Sequence, residues 1–279
     1  AVTRATYGAP YVMLHRADLH ALLVEAADVP IALGKAIDDA DAIDADAVIA
    51  ADGLKSVVRG KVFGNPPARF TGHVAWRGLV PADRLPPEAA APGSVVWAGP
   101  GRIFVRYPVR HGTLINLVGL TRTDTWVAEG WSNRVTTADW LTQYDGWHPD
   151  VTDAIRATDD ASRIAWGLFA RDPLPTIISG RIALLGDAAH PMLPFMGQGA
   201  AMAIEDGVML GRAFADAASV DEALTRYAAV RIPRTSFIQR QSALGADRLQ
   251  FEIARTGLPP AETEDSLGIF HYDPSTAAL

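Results

Sequence analysis

Cysteine is absent from the 279 residues, which excludes disulfides, thiolate nucleophiles and cysteine-ligated metal or iron–sulfur centres. The seven histidines are scattered and form no His-x-x-x-His pair, so no metal is assigned. Lysine is scarce. Lys35, Lys55 and Lys61 are three of 25 basic residues, which together with the abundant alanine suggests a GC-rich bacterial source. The net charge is −7 and no Lys/Arg-rich run occurs, so a nucleic-acid partner is not expected. No apolar stretch approaches a membrane span and nothing at Ala1 reads as a signal peptide. A membrane partner is therefore not expected, and a cytoplasmic location is the default reading.

What remains is 49% apolar and 20% charged, enough to bury a sizeable core in two domains or one large α/β domain. Residues 11–14 (YVML) predict a short strand. Leu19, Leu22, Leu23 and Ala26 then recur at helical spacing and predict one inward apolar face. DAVIAADG predicts a buried strand ending in the Asp52-Gly53 turn. From about residue 70 to 120, HVAWRGLVP, GSVVWAG, RIFVRYPV and TLINLVGL are separated by Gly/Pro turns and predict an antiparallel sheet. Alternation puts Ile103, Val105 and Tyr107 on one face of that sheet and Phe104 and Arg106 on the other.

Residues 138–157 predict helix, RIAWGLFA a strand, and RIALLG (181–186) a continuous apolar strand. The loop DAAHPMLPFMGQG and a helix over about 200–217 follow. Ser219-x-x-Glu222 is a capping box opening a further helix, with Leu224, Tyr227 and Ala228 inward and a break or kink expected at Pro233.

Three segments carry chemistry. Gly186-Asp187 ends a buried strand, where parallel sheets hold cofactors. Asp187 offers acceptors to sugar-like hydroxyls, and Gly197 and Gly199 let backbone N–H groups approach a ligand at a helix N-terminus. By spacing alone the same pattern also fits a plain strand–loop–helix connection. The second segment runs from Asp52 to Arg59, where Gly53 makes a tight turn and Arg59 has the reach for a phosphate. The third is HRADL, with Arg16 at a strand-to-helix junction, a position equally suited to a solvated arginine.

Taken together and in this order, HRADLHALL, ADAVIAADGLKSVVR, VAWRGLVP, GRIALLGDAAHPMLPFMGQGAAMAIEDG and FHYD resemble the single-component FAD-dependent aromatic hydroxylases of the para-hydroxybenzoate and salicylate hydroxylase family. The resemblance runs from about residue 11 to the C-terminus. It implies an α/β fold: an incomplete Rossmann-like FAD-binding layer (1–66 and 160–218), an inserted antiparallel-sheet substrate domain (67–159) and C-terminal helices (219–279).

It further implies that Gly186 and Asp187 bind the flavin ribityl region, that Gly197, Gln198, Gly199 and Ala200 cradle the pyrimidine edge, and that Pro191 packs near the ring. Arg16 would contact the pyrophosphate or ribityl region, and Asp52, Gly53 and Arg59 a segment shared between FAD and NAD(P)H. Trp76, Ile103, Tyr107 and Asn116 would roof the substrate pocket, with Phe195 and Met196 lining it. The implied reaction hydroxylates a small aromatic with NAD(P)H and oxygen through a flavin C4a-hydroperoxide.

Two departures stand out. The Gly-x-Gly-x-x-Gly of the family, which holds the FAD pyrophosphate, does not occur in these residues. This chain alone is therefore expected to bind FAD weakly or not at all. Ile103 also stands where some members have histidine, so no catalytic residue is assigned, with Tyr107 and His190 as candidates. Three alternatives stay open: a homologue that lost FAD and binds a ligand without redox chemistry, one part of a split enzyme completed by a Rossmann chain, and a fragment. A homodimer is a further partner reading.

Overall fold

The computed structural model describes residues 2–64, 68–125, 133–248, 250, 253–256 and 263–279. In chain order the elements are α1 (Val2–Tyr7), α2 (Arg16–Ala26), β1 (Val48–Ala50), β2 (Arg69–Pro81), β3 (Val95–Gly99), β4 (Arg102–Val109), β5 (Leu114–Arg122), β6 (Asn133–Arg134), α3 (Thr137–Gln143), α4 (Pro149–Arg156), β7 (Ile164–Ala170), β8 (Ile178–Ser179), β9 (Ile182–Leu184), α5 (Gly199–Asp216), α6 (Val220–Asp247) and α7 (Ile253–Thr256). They divide into two compact units: residues 1–31, 70–168 and 249–259, and residues 32–69, 169–248 and 260–279.

The first unit is built on a six-stranded sheet in the order β3-β4-β5-β2-β7-β6. The long strands β2, β4 and β5 pair antiparallel, as the alternating sequence predicts. Strand β7 joins this sheet, a correction to the boundary at residue 160 that put it with the cofactor layer. One sheet face is covered by α3 and α4. Phe104, Trp76, Leu117 and Val80 pack there against Trp140, Tyr144 and Ile155, all buried. Gly119 lets the two aromatics approach: a Cβ at that position would lie 2.6 Å from the Tyr144 hydroxyl and 3.0 Å from Trp140 Nε1. The predicted single helical stretch 138–157 is two helices, α3 and α4, each started by its own cap.

Residues 11–14 form no strand; they are largely exposed and have no ladder partner. Helix α2 forms, but none of its residues is buried, with Leu22 59% and Leu23 56% exposed, so its apolar face does not pack inward. Asp18 of α2 instead receives two hydrogen bonds from Arg110, at 2.8 and 2.7 Å.

The second unit holds a three-stranded sheet, β1-β9-β8, in which β1 and β9 run parallel and β8 and β9 antiparallel. Its core gathers Val48, Ala50, Ala183, Leu184, Met209, Leu224 and Tyr227. The Ser219 hydroxyl accepts from Glu222 N, while the Glu222 carboxylate accepts from Ala218 N, one residue earlier than a full capping box requires. Leu224, Tyr227 and Ala228 are buried as expected. Helix α6 nevertheless runs unbroken past Pro233. An interior proline costs about 3 kcal/mol, and the buried residues on either side of it, Tyr227, Arg231 and Ile238, hold the helix together against that cost.

Candidate active site

Parallel pairing of β1 and β9 brings the carboxyl ends of both strands to one edge, where Leu185 N donates to Ala50 O at 3.0 Å. Asp52 and Gly186-Asp187 follow directly from those ends. Gly186 (φ +62°) and Gly197 (φ +64°) take left-handed backbone that a side chain would strain. The loop leads into α5, an 18-residue helix with no side-chain cap and no acidic residue in its first turn. Its leading N–H groups are therefore open to an acceptor. Asp187 is exposed, and its Oδ1 lies 3.9 Å from where a Cβ on Gly199 would sit. Among the described residues the Asp187 carboxylate has no donor, so the loop presents its acceptors beside the uncapped N–H groups of the helix start.

What holds this loop is a buried charge network between α5 and α6 that the sequence reading missed. Asp206, fully buried, accepts from Gly186 N (2.9 Å), from His190 Nε2 (2.6 Å) and from Arg231 Nε (2.7 Å). Burial alone would raise its carboxyl pKa, but the hydrogen bond and charge of His190, the Arg231 charge and the Gly186 N–H together hold it below the usual carboxylate range. Arg231, also fully buried, donates from Nη1 to Glu205 (2.9 Å), and Arg234 forks onto the same carboxylate at 2.7 Å from Nε and 2.7 Å from Nη2. The Arg234 guanidinium lies 3.8 Å from the centre of the Tyr272 ring. Two adjacent acids inside the apolar run AMAIEDGVML were the available signal, because unpaired charges are not buried there.

Several expected cofactor contacts prove to be internal. Arg59 is buried, and its guanidinium donates to the carbonyls of Leu54, Asp187 and Ala188. It braces the loop from beneath, where the sequence reading had it reaching for a phosphate. Asp52 caps the following turn by accepting from Val57 N (2.8 Å) and Val58 N (3.3 Å), with Gly53 at φ +81° making the bend. Gln198 turns its amide onto Met196 O, while Pro191 and Ala200 stay accessible. Phe195 and Met196 are buried, and a Cβ on Gly245 of α6 would meet Phe195 Cβ at 2.8 Å. Arg16 belongs to the other unit and is exposed at the start of α2.

Of the expected pocket residues, Trp76 lies on the sheet face opposite the other three. Register pairs it with Gly119, which pairs in turn with Phe104, so it faces α3. There it stacks on Trp140 at 6.5 Å and donates to Thr121 Oγ1. Ile103, Tyr107 and Asn116 do share the opposite face. The Tyr107 hydroxyl has no hydrogen-bond partner among the described residues, and burial raises its pKa, partly offset by the Arg77 charge. His190 is buried with Nε2 committed to Asp206.

Comparison with known proteins decides the family. The FAD binding domain family matches residues 9–242. The chain belongs to that family. The chain is 37% identical over 254 residues to 3-amino-4-hydroxybenzoate 2-monooxygenase PtnB3 of Streptomyces platensis, a match spanning 85% of this chain and 63% of that one. Among solved structures, a salicylate hydroxylase substrate complex aligns with TM-score 0.76 and 28% identity over 93% of this chain and 73% of the other. Klebsiella pneumoniae HpxO complexed with FAD and uric acid aligns with TM-score 0.68 and 30% identity over 81% and 59%. The chain thus spans slightly under two thirds of the curated relative. Among the described residues no helix is long and apolar enough to cross a membrane, and no cluster of His, Asp and Glu is arranged for a metal.

The residues present fit a flavin. The uncapped start of α5 suits the electron-rich pyrimidine edge, and the free Asp187 carboxylate suits a polyhydroxyl chain.

Proposed function

We propose that this chain is the flavin-loop and substrate-sheet part of an FAD-dependent aromatic monooxygenase that uses NAD(P)H and acts on a small phenolic substrate. The observation that carries the reading is the Gly186–Gly199 loop, which offers an exposed carboxylate beside an uncapped helix and is braced by Asp206 and Arg59. When bound, FAD supplies hydride acceptance and oxygen activation.

The chain's own residues bind, orient and exclude water. Asp187 accepts from flavin hydroxyls, and the N–H groups from Gly199 onward stabilise negative charge on the ring edge, with Gly197, Gln198 and Ala200 shaping the approach. Gly186 and Pro191 set the loop's course, with Asp52, Gly53 and Arg59 supporting it from behind. Tyr107 donates to the phenolic oxygen of the substrate, and Ile103 supplies apolar contact. Arg16 meets the phosphates of the cofactor from the start of α2.

Titration with FAD, read by the visible flavin spectrum, tests this. Weak, saturable binding with a shifted spectrum is expected, and Asp187→Ala should weaken it about tenfold, the worth of one or two hydrogen bonds to a charged group. Aromatic acids should then stimulate NAD(P)H oxidation. No spectral change up to millimolar FAD would overturn flavin binding by this chain, and an aromatic that binds without flavin would favour a non-redox ligand-binding protein.

A further inference from the structure

Residues 267–279 run over α5 and α6 within the second unit, and three kinds of contact tie them to the loop between β9 and α5. The first is apolar. Ile269 is buried in a cluster with Met196 of the loop, Met202 in the first turn of α5 and Ile238 of α6, and Met192 of the loop packs at its margin. The second is Arg234 of α6, which forks onto Glu205, donates from Nη2 to Ile269 O at 3.3 Å and lies 3.8 Å from the centre of the Tyr272 ring. The third is Arg212 of α5, whose Nη1 donates to Pro274 O at 2.6 Å and to Ala277 O at 2.8 Å.

Two guanidiniums meet on one oxygen of Glu205: Arg231 Nη1 at 2.9 Å and Arg234 Nε at 2.7 Å both reach Oε2. Like charges that close repel, more strongly where water is excluded. The π face of Tyr272 sets negative potential against Arg234, and Ile269 O takes one of its N–H groups. From Arg234 an unbroken line of charge-assisted bonds leads to the candidate site, through Glu205, Arg231 and Asp206 to Gly186 N and His190. Arg231 also donates to Met202 O at 3.3 Å, in the first turn of α5.

We propose that residues 267–279 are a strap that sets the shape of the flavin loop, and that Tyr272 is its positioning residue, acting through Arg234 and Glu205. The proposal rests on the reading of the Gly186–Gly199 loop as the flavin site. It deepens that reading, because FAD affinity then depends on a ring that the loop's own residues do not supply. Removing the π face leaves Arg234 to Glu205 and Ile269 O alone, beside Arg231 on the same carboxylate oxygen. The line to Asp206 slackens, and with it the grip on Gly186 N and the start of α5.

Hydrogen–deuterium exchange of the full chain, read over residues 182–202, tests the strap without flavin, and spectral titration with FAD tests its consequence. Protected amides are available there: Gly186 N donates to Asp206, His190 N to Gly186 O and Met202 N to Gln198 O. Tyr272→Leu keeps an apolar side chain and removes the π face. It should speed exchange over 182–202 about three- to tenfold and weaken FAD by a similar factor, while exchange in β2, β4 and β5 is unchanged. Tyr272→Phe keeps the ring and should match the wild type in both. Arg212→Leu releases Pro274 O and Ala277 O without touching Tyr272; it should loosen the same residues and decides the matter if Tyr272→Leu does not fold. Unchanged exchange in Tyr272→Leu would overturn the strap and leave the flavin site standing. A loop that loosens with FAD affinity intact, or a Tyr272→Phe protein as loose as Tyr272→Leu, would overturn Tyr272 as the positioning residue. Absence of FAD binding by the wild type would overturn the flavin reading, and the exchange result would then decide the strap on its own.

Discussion

Asp206→Asn separates the positioning role of the α5–α6 network from mere packing. The substitution keeps the shape of the side chain and removes its charge. Asp206 now accepts from three donors, Gly186 N, His190 Nε2 and Arg231 Nε. An asparagine offers one oxygen and sets an NH2 against at least one of those donors, while Arg231, fully buried, keeps Glu205 as its only paired carboxylate among the described residues. Breaking a buried pair on one side costs about 3–5 kcal/mol. With a urea slope of about 2–3 kcal/mol per molar, the unfolding midpoint should fall by about 1–2 M at pH 7. The pH dependence has a definite sign. The folded carboxyl titrates below its unfolded value of about 3.9, so its contribution is complete above that value and is lost as pH falls through the folded pKa. The gap between wild type and variant should therefore be full at neutral pH and close on strong acidification. FAD affinity should fall as well, because Gly186 N loses the carboxylate that fixes the loop. A loss no larger than that of an exposed ion pair, about 1 kcal/mol or less, would refute the argument.

Two further outcomes follow from the packing. Gly119→Ala drives a methyl into Tyr144 and Trp140 and should destabilise the first unit by about 1–3 kcal/mol, visible as a lowered thermal midpoint and an altered near-ultraviolet aromatic signal. Gly207→Ala on α5, where a Cβ meets nothing within 4 Å, should instead stabilise by up to about 1 kcal/mol and serves as its control. Thr136 and Asp139 form a reciprocal capping box on α3, so Thr136→Ala should cost about 1 kcal/mol by urea unfolding.

Much of the local structure was legible in the residues alone. Apolar runs between Gly/Pro turns announced β2, β4 and β5, and alternation in β4 placed Ile103 and Tyr107 on one face. The apolar strand before Gly186-Asp187, the helix after Gly199 and the Ser219 cap were likewise readable, because each depends on contacts a few residues apart. What the residues could not disclose is what lies opposite them. Trp76 faces α3, where its direct cross-strand partner Gly119 leaves room for the stacked aromatics. Arg59 serves carbonyls 128 and 129 residues distant, so its type suggested a phosphate while its surroundings assigned it a brace. Pro233 is tolerated because burial along α6 outweighs its missing N–H, and the apolar face of α2 stays exposed because periodicity predicts a helix but not its neighbour. Short-range pattern is written in the chain; which polar groups stay unpaired, as the Asn116 NH2 does among the described residues, emerges only when distant segments close around them.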